Sequence, residues 1–352
     1  MTTKKLNNRL HMAKAGKKDE FYTQITDIEK ELKNYKKHFK DKIVLCNCDD
    51  PKVSNFFKYF AYNFEKLQLK KLITTCYKNS YPDLFSQHNT EDAVYLEYFG
   101  NDSDGGMPDL DNIAVKKLSG NGDFRSPECI RLLEEADIVV TNPPFSLFRE
   151  YVQQLVDHNK KFLIVGNQNA ITYKEIFQLI KENRIWAGVD NGGTKWFQVP
   201  DDYEIKTESR IKELNGAKYF SMGSVYWFTN MEHKKRRDEL ILVKNYATGQ
   251  YPSYHNFDAI EVGKVSDIPL DYTGAMGVPI TFLDKYNPDQ FEILGLGISN
   301  SGLDFGVRPY DPEHREYRKN VQKRGAVNGD LYMLENGEVK VPYARIVIRK
   351  KL

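Results

Sequence analysis

An apolar run at residues 137–141 leads directly into the tetrapeptide Asn142-Pro143-Pro144-Phe145. A short run of this kind, rich in β-branched residues, is typical of a buried strand, so the tetrapeptide is expected to form the loop at the strand's carboxyl end. Each proline fixes its own φ near about −65° and keeps the residue before it out of the α region. The loop is therefore stiff, and its carbonyl groups point in fixed directions.

A loop of this composition suits chemistry on a planar amino group. The exocyclic amine of adenine, N6, is a poor nucleophile because its lone pair is delocalised into the ring. If the side-chain oxygen of Asn142 and the carbonyl of Pro143 each accept one N6 hydrogen, the lone pair turns toward an incoming methyl group. Phe145 would stack on the base. We predict a catalytic loop at Asn142, Pro143, Pro144 and Phe145; the alternative is a proline-rich turn into a helix that begins near Ser146.

The first half of the chain alternates strand-like and helical patterns. Strands are predicted at residues 42–46, 72–77, within 113–118, 137–141 and 162–165, and helices at residues 146–158 and 173–182. Asp50 and Pro51 are a good N-cap and first-turn pair for a further helix with a phenylalanine stripe. The alternation predicts an α/β fold, a mostly parallel sheet with helices on both faces. Aromatic strands at residues 196–199, 224–229 and 240–243 are expected to complete that sheet.

The chain has 352 residues, which exceeds the usual size of a single domain. Beyond about Ala247 the sequence is punctuated by glycine and proline and mixes β and loop signals. We therefore predict a catalytic domain over residues 1–245, with a basic N-terminal arm, and a smaller target-recognition region over residues 246–352.

The loop that follows the first predicted strand indicates the cofactor. Ligands of open α/β sheets bind at the carboxyl ends of the strands, and residues 47–51 lack the glycines that hold a pyrophosphate. The carboxylates of Asp49 and Asp50 favour a cationic ligand instead. S-adenosylmethionine, which carries a sulfonium and an ammonium group, fits the negative electrostatic potential of these carboxylates. Capping of the following helix is the alternative use of both aspartates.

Further cofactor contacts are predicted on either side of that loop. Asp123 could accept a hydrogen bond from the cofactor's adenine while Phe124 packs on the ring, although Asp123 also reads as a turn carboxylate. Thr23 could hold the cofactor carboxylate or cap the first helix. The predicted cofactor site comprises Phe21, Tyr22, Thr23, Asn47, Cys48, Asp49, Asp123 and Phe124.

Composition limits the remaining classes of function. The formal net charge is only +2, so affinity for nucleic acid must come from local basic clusters such as Lys234, Lys235, Arg236 and Arg237. The four cysteines lack metal or disulfide spacing, and the seven histidines predict no metal site. No stretch approaches the length of a membrane span. We expect a cytoplasmic protein that acts as a monomer.

Together these residues resemble the adenine-specific DNA methyltransferases of the EcoRI type. The resemblance covers most of the chain and is carried by residues 17–23, 46–51 with 54–57, 141–145 and 277–286. It implies S-adenosylmethionine as methyl donor, N6 of adenine in duplex DNA as acceptor, and a restriction-modification or phage setting. It also implies catalytic roles for Asn142, Pro143 and Phe145. The chain departs from the broader class because its first loop lacks glycines and its second strand ends, at residues 75–77, without an acidic residue.

A base inside a stacked duplex must be flipped out to reach such a site. Phe145 on one face and Trp196 on the other are expected to sandwich it, although Trp196 could equally fill the core. Two alternatives stay open at this point. The same loop logic serves methyltransferases that act on a planar amino group in RNA or on a glutamine amide in protein, and the fold could also belong to a catalytically silent DNA-binding homologue.

Overall fold

The computed structural model describes residues 22–47, 54–77, 93–100, 113–199, 210–221, 223 and 225–351. The chain divides into two compact units. Unit 1 comprises Met1–Ala170 and Ala187–Glu232, and unit 2 comprises Ile171–Trp186 and His233–Leu352. Residues 171–186 and 233–245 thus group with unit 2, whereas the sequence assigned them to the catalytic domain. The assignment of residues 246–352 to target recognition stays a prediction.

Unit 1 contains a large mixed sheet. Its order is β5-β4-β3-β2-β6-β7-β12-β8, and the two-residue β8 contains the boundary of the units. The four central strands, β3, β2, β6 and β7, run parallel, while β4, β5 and β12 are antiparallel to their neighbours. The predicted α/β fold is therefore confirmed, with antiparallel strands at its flanks. The strands up to the end of unit 1 are β1 (Tyr22–Thr23), β2 (Ile43–Asn47), β3 (Lys71–Cys76), β4 (Val94–Tyr98), β5 (Val115–Lys117), β6 (Ile138–Thr141), β7 (Lys161–Asn167), β8 (Trp186–Ala187), β9 (Phe197–Val199), β10 (Ile211–Leu214), β11 (Ala217–Phe220) and β12 (Val225–Thr229).

The central strands read as continuous apolar runs because they are covered on both faces. Every residue of β2 and β6 is buried. Helices supply the cover, and the phenylalanine stripe of α2 enters the core through Phe56, Phe57 and Phe60. The helices of unit 1 are α1 (Ile25–Leu32), α2 (Asn55–Tyr62), α3 (Phe64–Leu67), α4 (Pro127–Glu135) and α5 (Phe148–Asp157).

The start of α2 is capped by Ser54, whose hydroxyl accepts a hydrogen bond from the amide of Phe57 at 3.1 Å. The predicted cap, Asp50, and the predicted first-turn residue, Pro51, lie outside the described residues. In the structure, therefore, α2 is capped by Ser54, a residue that was not predicted as its cap. Ser126 caps α4 in the same way, with Pro127 in its first turn.

Two of the later strand predictions need correction. Residues 197–199 form β9 as a strand, but β9 belongs to a separate four-stranded sheet of order β1-β9-β11-β10 and does not complete the main one. Residues 240–243 form no strand, and Ile241 and Val243 are 82% and 74% exposed. An apolar run indicates a buried strand only where its side chains are covered, and here they face solvent. The prediction at residues 224–229 is confirmed by β12.

Unit 2 is built on a second four-stranded sheet, order β13-β14-β18-β15, and a two-stranded ribbon, β16-β17. Its core includes Leu331, Met333 and Val347. Its strands are β13 (Ile260–Glu261), β14 (Met276–Pro279), β15 (Phe291–Gly297), β16 (Met333–Glu335), β17 (Glu338–Lys340) and β18 (Arg345–Lys350), and its helices are α6 (Lys174–Lys181), α7 (Pro312–Glu316) and the π-helix Tyr317–Val321.

Short 3₁₀ turns link these elements. None of the helices in the described ranges is long and apolar enough to cross a bilayer. The 3₁₀ turns are Lys36–His38, Phe145–Leu147, Gln168–Thr172, Lys234–Arg237, Val265–Asp267, Ile280–Lys285 and Ser299–Phe305.

Candidate active site

Strands β2 and β6 end side by side at the carboxyl edge of the sheet. The two strands pair in parallel, Val44 with Ile138 and Leu45 with Val139. Just beyond that pairing the buried hydroxyl of Thr141 donates a hydrogen bond to the backbone carbonyl of Asn47. The residue before the predicted catalytic loop is therefore tied to the end of the strand where the cofactor was predicted to bind. Ligands of open α/β sheets occupy this edge.

The predicted catalytic loop leaves β6 and enters α5 through one 3₁₀ turn. Asn142 is half-buried and Pro143 is buried. Pro144 has φ −56° and ψ 123°, and it precedes the turn Phe145–Leu147. Phe145 is half-buried and packs against the core of unit 1. The loop is thus both the predicted turn into a helix and a rigid mount for an amide and an aromatic ring.

Tyr151 connects the predicted cofactor residues on the two sides of the sheet edge. Its hydroxyl donates a hydrogen bond to the side-chain oxygen of Asn47. Its ring meets the ring of Phe124 edge to face, with centroids 5.1 Å apart. Asn47 and Phe124 are both buried. No sequence pattern marks Tyr151, because it lies on the apolar face of α5, where an aromatic residue normally fills the core.

The carboxylate of Asp123 is engaged by a neighbour on its own turn. Arg125 donates to it from the backbone amide at 2.9 Å, from Nε at 2.9 Å and from Nη2 at 2.8 Å. The Arg125 guanidinium holds the pKa of this carboxyl below its ordinary value of 3.8, so it is ionised. The same guanidinium lies 5.2 Å from the centroid of the Phe124 ring. This geometry matches the turn-carboxylate alternative, and a contact from Asp123 to a cofactor stays a prediction.

Thr23 stands out by its hydroxyl. The residue is buried, and its Oγ1 has no hydrogen-bond partner among the residues that the structure describes. Its backbone carbonyl accepts a hydrogen bond from the side chain of Asn55 at 2.8 Å, which ties β1 to the start of α2. A buried polar atom without a partner costs free energy unless a ligand or water satisfies it. Thr23 thus fits the predicted contact to a cofactor carboxylate.

Trp196 lies beside the same small strand. The next residue, Phe197, pairs with Thr23. The indole is half-buried, and the Nζ of Lys212 sits 4.5 Å from its ring centroid. The core alternative for Trp196 therefore does not describe the structure, in which part of the ring stays accessible.

A buried carboxylate fixes the segment that leads to Trp196. Glu31 accepts hydrogen bonds from the amides of Val189 and Asp190 at 2.8 and 2.6 Å and from the Tyr35 hydroxyl at 2.8 Å. Burial raises the pKa of this carboxyl above its ordinary value, against the opposing effect of those donors. No sequence motif marks Glu31, which on α1 reads as an ordinary helix-surface residue.

The match to known proteins agrees with this geometry. Residues 9–351 match the family model described as adenine-specific methyltransferase EcoRI. The chain belongs to this family. It is accordingly an adenine-specific DNA methyltransferase.

Curated relatives of the methyltransferase cover most of its length. The type II methyltransferase M.EcoRI of Escherichia coli is 48% identical over 350 residues, 98% of this chain and 97% of the relative. M.MgeORF184P of Mycoplasma genitalium is 40% identical over 82% of this chain and 86% of its own, and M.MpnI of Mycoplasma pneumoniae is 38% identical over 80% and 83%. No solved structure matches the chain.

The basic run of the methyltransferase at residues 234–237 forms a 3₁₀ turn in unit 2. Lys235 pairs with Asp284 at 2.6 Å, and Arg237 pairs with Asp289 at 2.6 Å. Arg236 is buried, with its guanidinium 3.6 Å from the centroid of the Trp186 ring. These three side chains hold the fold of unit 2, and the exposed Lys234 is the member best presented to solvent. Contact of any of them with DNA stays a prediction.

Some predicted cofactor residues of the methyltransferase cannot be placed. Phe21, Cys48 and Asp49, like the basic N-terminal arm, lie outside the described residues. Tyr22 is described only through its backbone, which pairs with Gln198. Thr23, Asn47, Phe124 and the predicted catalytic loop all lie in unit 1.

Proposed function

We propose that this methyltransferase transfers a methyl group from S-adenosylmethionine to N6 of an adenine flipped out of a specific short DNA duplex, with the loop 142–145 as its catalytic element. The observation that carries the proposal is the hydrogen bond from Thr141 to the carbonyl of Asn47. It joins the loop suited to a planar amine to the strand end suited to a nucleotide-like cofactor.

The chain's own residues act by positioning and polarising the amine. The Asn142 side-chain oxygen and the Pro143 carbonyl accept the two N6 hydrogens, so that the nitrogen's lone pair turns out of the ring plane. The stiffness of the two prolines keeps both acceptors in place without a cost at the moment of reaction. The proton is lost after nitrogen becomes cationic, so no strong general base is required.

The residues present fit the proposed cofactor. The Oγ1 of Thr23, which has no partner among the described residues, offers a hydrogen-bonding group to a carboxylate. Asn47 and Phe124 are held at the sheet edge by Tyr151. When bound, S-adenosylmethionine supplies an electrophilic methyl group. Tyr151 orients Asn47 and supports the ring of Phe124, and Asp123 joins this set through the turn it shares with Phe124.

Two aromatic side chains are suited to hold the flipped base. Phe145 is fixed by the core on one side and is half-buried. Trp196 precedes β9 and has part of its ring accessible. Flipping costs a few kcal/mol, which stacking on aromatic rings at about 1–3 kcal/mol per base offsets in part. Contacts from basic side chains to the phosphate backbone supply the rest.

We also propose the setting. The enzyme works as a monomer on double-stranded DNA in the cytoplasm, as part of a restriction-modification system or of a phage. Residues 246–352 read the target sequence, and Lys234 contributes to DNA binding with neighbouring basic residues.

The test is transfer of tritiated methyl groups from S-adenosylmethionine to unmethylated plasmid DNA, followed by nucleoside analysis. Label in N6-methyladenine is expected, with none in methylated cytosine. Label that appears on RNA or on protein, but not on DNA, would favour the glutamine-amide or RNA alternative. Cofactor binding without any methyl transfer would indicate a catalytically silent DNA-binding protein.

A further inference from the structure

Unit 2 brings two histidines and one aspartate into a single cluster. One ligand atom from each of His255, Asp311 and His314 lies within 4.8 Å of the other two. The Nε2 of His255 is 2.7 Å from Oδ2 of Asp311, and the Nδ1 of His314 is 3.5 Å from the same oxygen. The two imidazole rings meet edge to face, with centroids 4.8 Å apart. The sequence gives no sign of this cluster because His255 and Asp311 are 56 residues apart.

The separations of 2.7 and 3.5 Å lie on either side of the spacing of ligands around one small cation, so small side-chain movements would let the three atoms converge on an ion. Zinc binds nitrogen and oxygen at about 2.0–2.2 Å, which places neighbouring ligands of a tetrahedral ion about 3.4 Å from one another. Two imidazoles with one carboxylate form a donor set that selects zinc, cobalt or nickel over magnesium or calcium. The remaining positions are open to water. We propose that His255, Asp311 and His314 form a binding site for a divalent transition metal, with zinc as the best-matched ion.

The surroundings favour a cation that has access from solvent. The side chain of Asp311 is 52% exposed, so an ion can enter from its side. Glu313 adds a second carboxylate, with Oε1 3.7 Å from Nε2 of His314. One positive group opposes them: Arg308, which donates to the carbonyl of His255 at 2.7 Å. Asp311 and Glu313 thus place two carboxylates beside the histidines, against the one guanidinium of Arg308.

The cluster is also held from behind. The ring of buried Tyr332 lies 5.3 Å from that of His255. Its hydroxyl is 3.1 Å from Nδ1 of His314, a contact that must be released when this nitrogen binds an ion. Tyr332 in turn stacks on Tyr310, with centroids 4.5 Å apart and planes inclined by 8°. Residues with locked rotamers lose little freedom when they bind an ion, as metal sites require.

A metal at this position would act on the fold of unit 2 and not on methyl transfer. It would join the segment of His255 to α7, which His314 belongs to and which leads into the basic π-helix Tyr317–Val321. A ligand that binds only the folded state stabilises it by mass action. The site is therefore expected to raise the melting temperature without taking part in chemistry.

The experiment is calorimetric titration of the full, tag-free, chelator-treated chain with zinc chloride. One ion per chain is expected, with thermal unfolding shifted upward by zinc and not by magnesium. His255→Ala and His314→Ala should each weaken the binding by at least about tenfold. His158→Ala is the matched control, since His158 faces a single carboxylate, Glu134, at 3.9 Å.

A second probe guards against variants that fail to fold. Asp311→Asn preserves the size of the side chain and should also weaken zinc binding, and circular dichroism in the presence of chelator reports whether each variant is folded. Cobalt in place of zinc should give visible absorption bands of a low-coordinate nitrogen and oxygen site. Zinc binding that is absent, or that is unchanged in folded Asp311→Asn and His314→Ala, would overturn the proposal and leave the cluster as an ion pair between histidine and carboxylate.

Discussion

The hydroxyl of Tyr151 joins two residues that the sequence assigned to the cofactor. It donates to Asn47, while the ring supports Phe124. Tyr151→Phe removes the hydrogen bond and keeps the ring contact. A hydrogen bond of this kind contributes about 1 kcal/mol, so cofactor affinity should fall by about fivefold. Equilibrium binding of S-adenosylmethionine measures this, and Tyr62→Phe, at a tyrosine that is 49% exposed, is the control. Equal affinity in both variants would contradict the role of Tyr151.

We predict that removing the hydroxyl of Thr23 affects the stability of the fold and the affinity for the cofactor in opposite directions. Its buried Oγ1 has no partner within the described part of the chain, so Thr23→Val should leave the free energy of unfolding of the cofactor-free protein unchanged or raised. The same variant should bind S-adenosylmethionine more weakly. Thr229→Val is the matched control, because the Thr229 hydroxyl donates to the Phe162 carbonyl at 2.6 Å and its loss must destabilise. Urea unfolding and cofactor titration of both variants test this. A destabilised Thr23→Val with normal cofactor affinity would contradict the assignment of Thr23 to the cofactor site.

Among single residues, the sequence predicts best those candidate site residues that lie in loops next to strand ends. Asn142 and Phe145 were predicted because two prolines and a strand frame them, and Asn47 because it ends the first strand. Tyr151 and Glu31 were not predicted, since both lie on helices. The helical spacing of Tyr151 indicates only packing, and that of Glu31 only a solvent-exposed side chain. Their roles arise from contacts with residues more than 100 positions away in the chain, Asn47 and Val189, which no local pattern encodes.

Among the elements, β7 and α5 pack closely at Gly166, which leaves no room for a side chain. A methyl group on Gly166 would lie 2.5 Å from the ring of Phe148, the first residue of α5, and 3.0 Å from the ring of Phe228. Gly166→Ala must therefore displace the Phe148 ring at the start of α5, next to the predicted catalytic loop. We expect a loss of about 1–3 kcal/mol in stability, with a fall in kcat, in urea unfolding and methyl-transfer assays. Gly263→Ala, where the added methyl meets nothing within 4 Å, should be neutral. A neutral Gly166→Ala would mean that the loop tolerates movement of α5.

The sequence predicts the elements of the parallel centre better than those of the flanks. Buried parallel strands are continuous apolar runs, and β2, β3, β6 and β7 appear where such runs occur. The antiparallel strand β4 was missed, because its burial alternates along Val94–Tyr98 and the run is short. The strand expected at residues 240–243 was wrong, because an apolar composition does not tell whether the residues find a partner.

At the scale of the molecule, DNA binding must come from local charge because the net charge is only +2. Lys319 and Lys323 are exposed in unit 2, and neither has an ion-pair partner within the described ranges. Lys319→Ala and Lys323→Ala should each lower DNA affinity and reduce the slope of log affinity against log salt by about 0.9, the value for one phosphate contact. Lys174→Ala is the control, because Asp304 at 2.8 Å already offsets that charge. Salt-dependent fluorescence anisotropy measures the slopes, and three equal slopes would exclude this surface from the DNA contact.

In the proposed mechanism, the loop 142–145 offers two hydrogen-bond acceptors to N6 of the adenine. Single-turnover methyl transfer by Asn142→Ala tests it most directly, with cofactor affinity measured on the same preparation. Loss of one preorganised polar group at a reacting centre costs about 100-fold or more in rate. We predict such a loss with unchanged affinity for S-adenosylmethionine, and partial activity in Asn142→Asp, which keeps an oxygen acceptor. A rate near that of the unaltered enzyme in Asn142→Ala would contradict the mechanism.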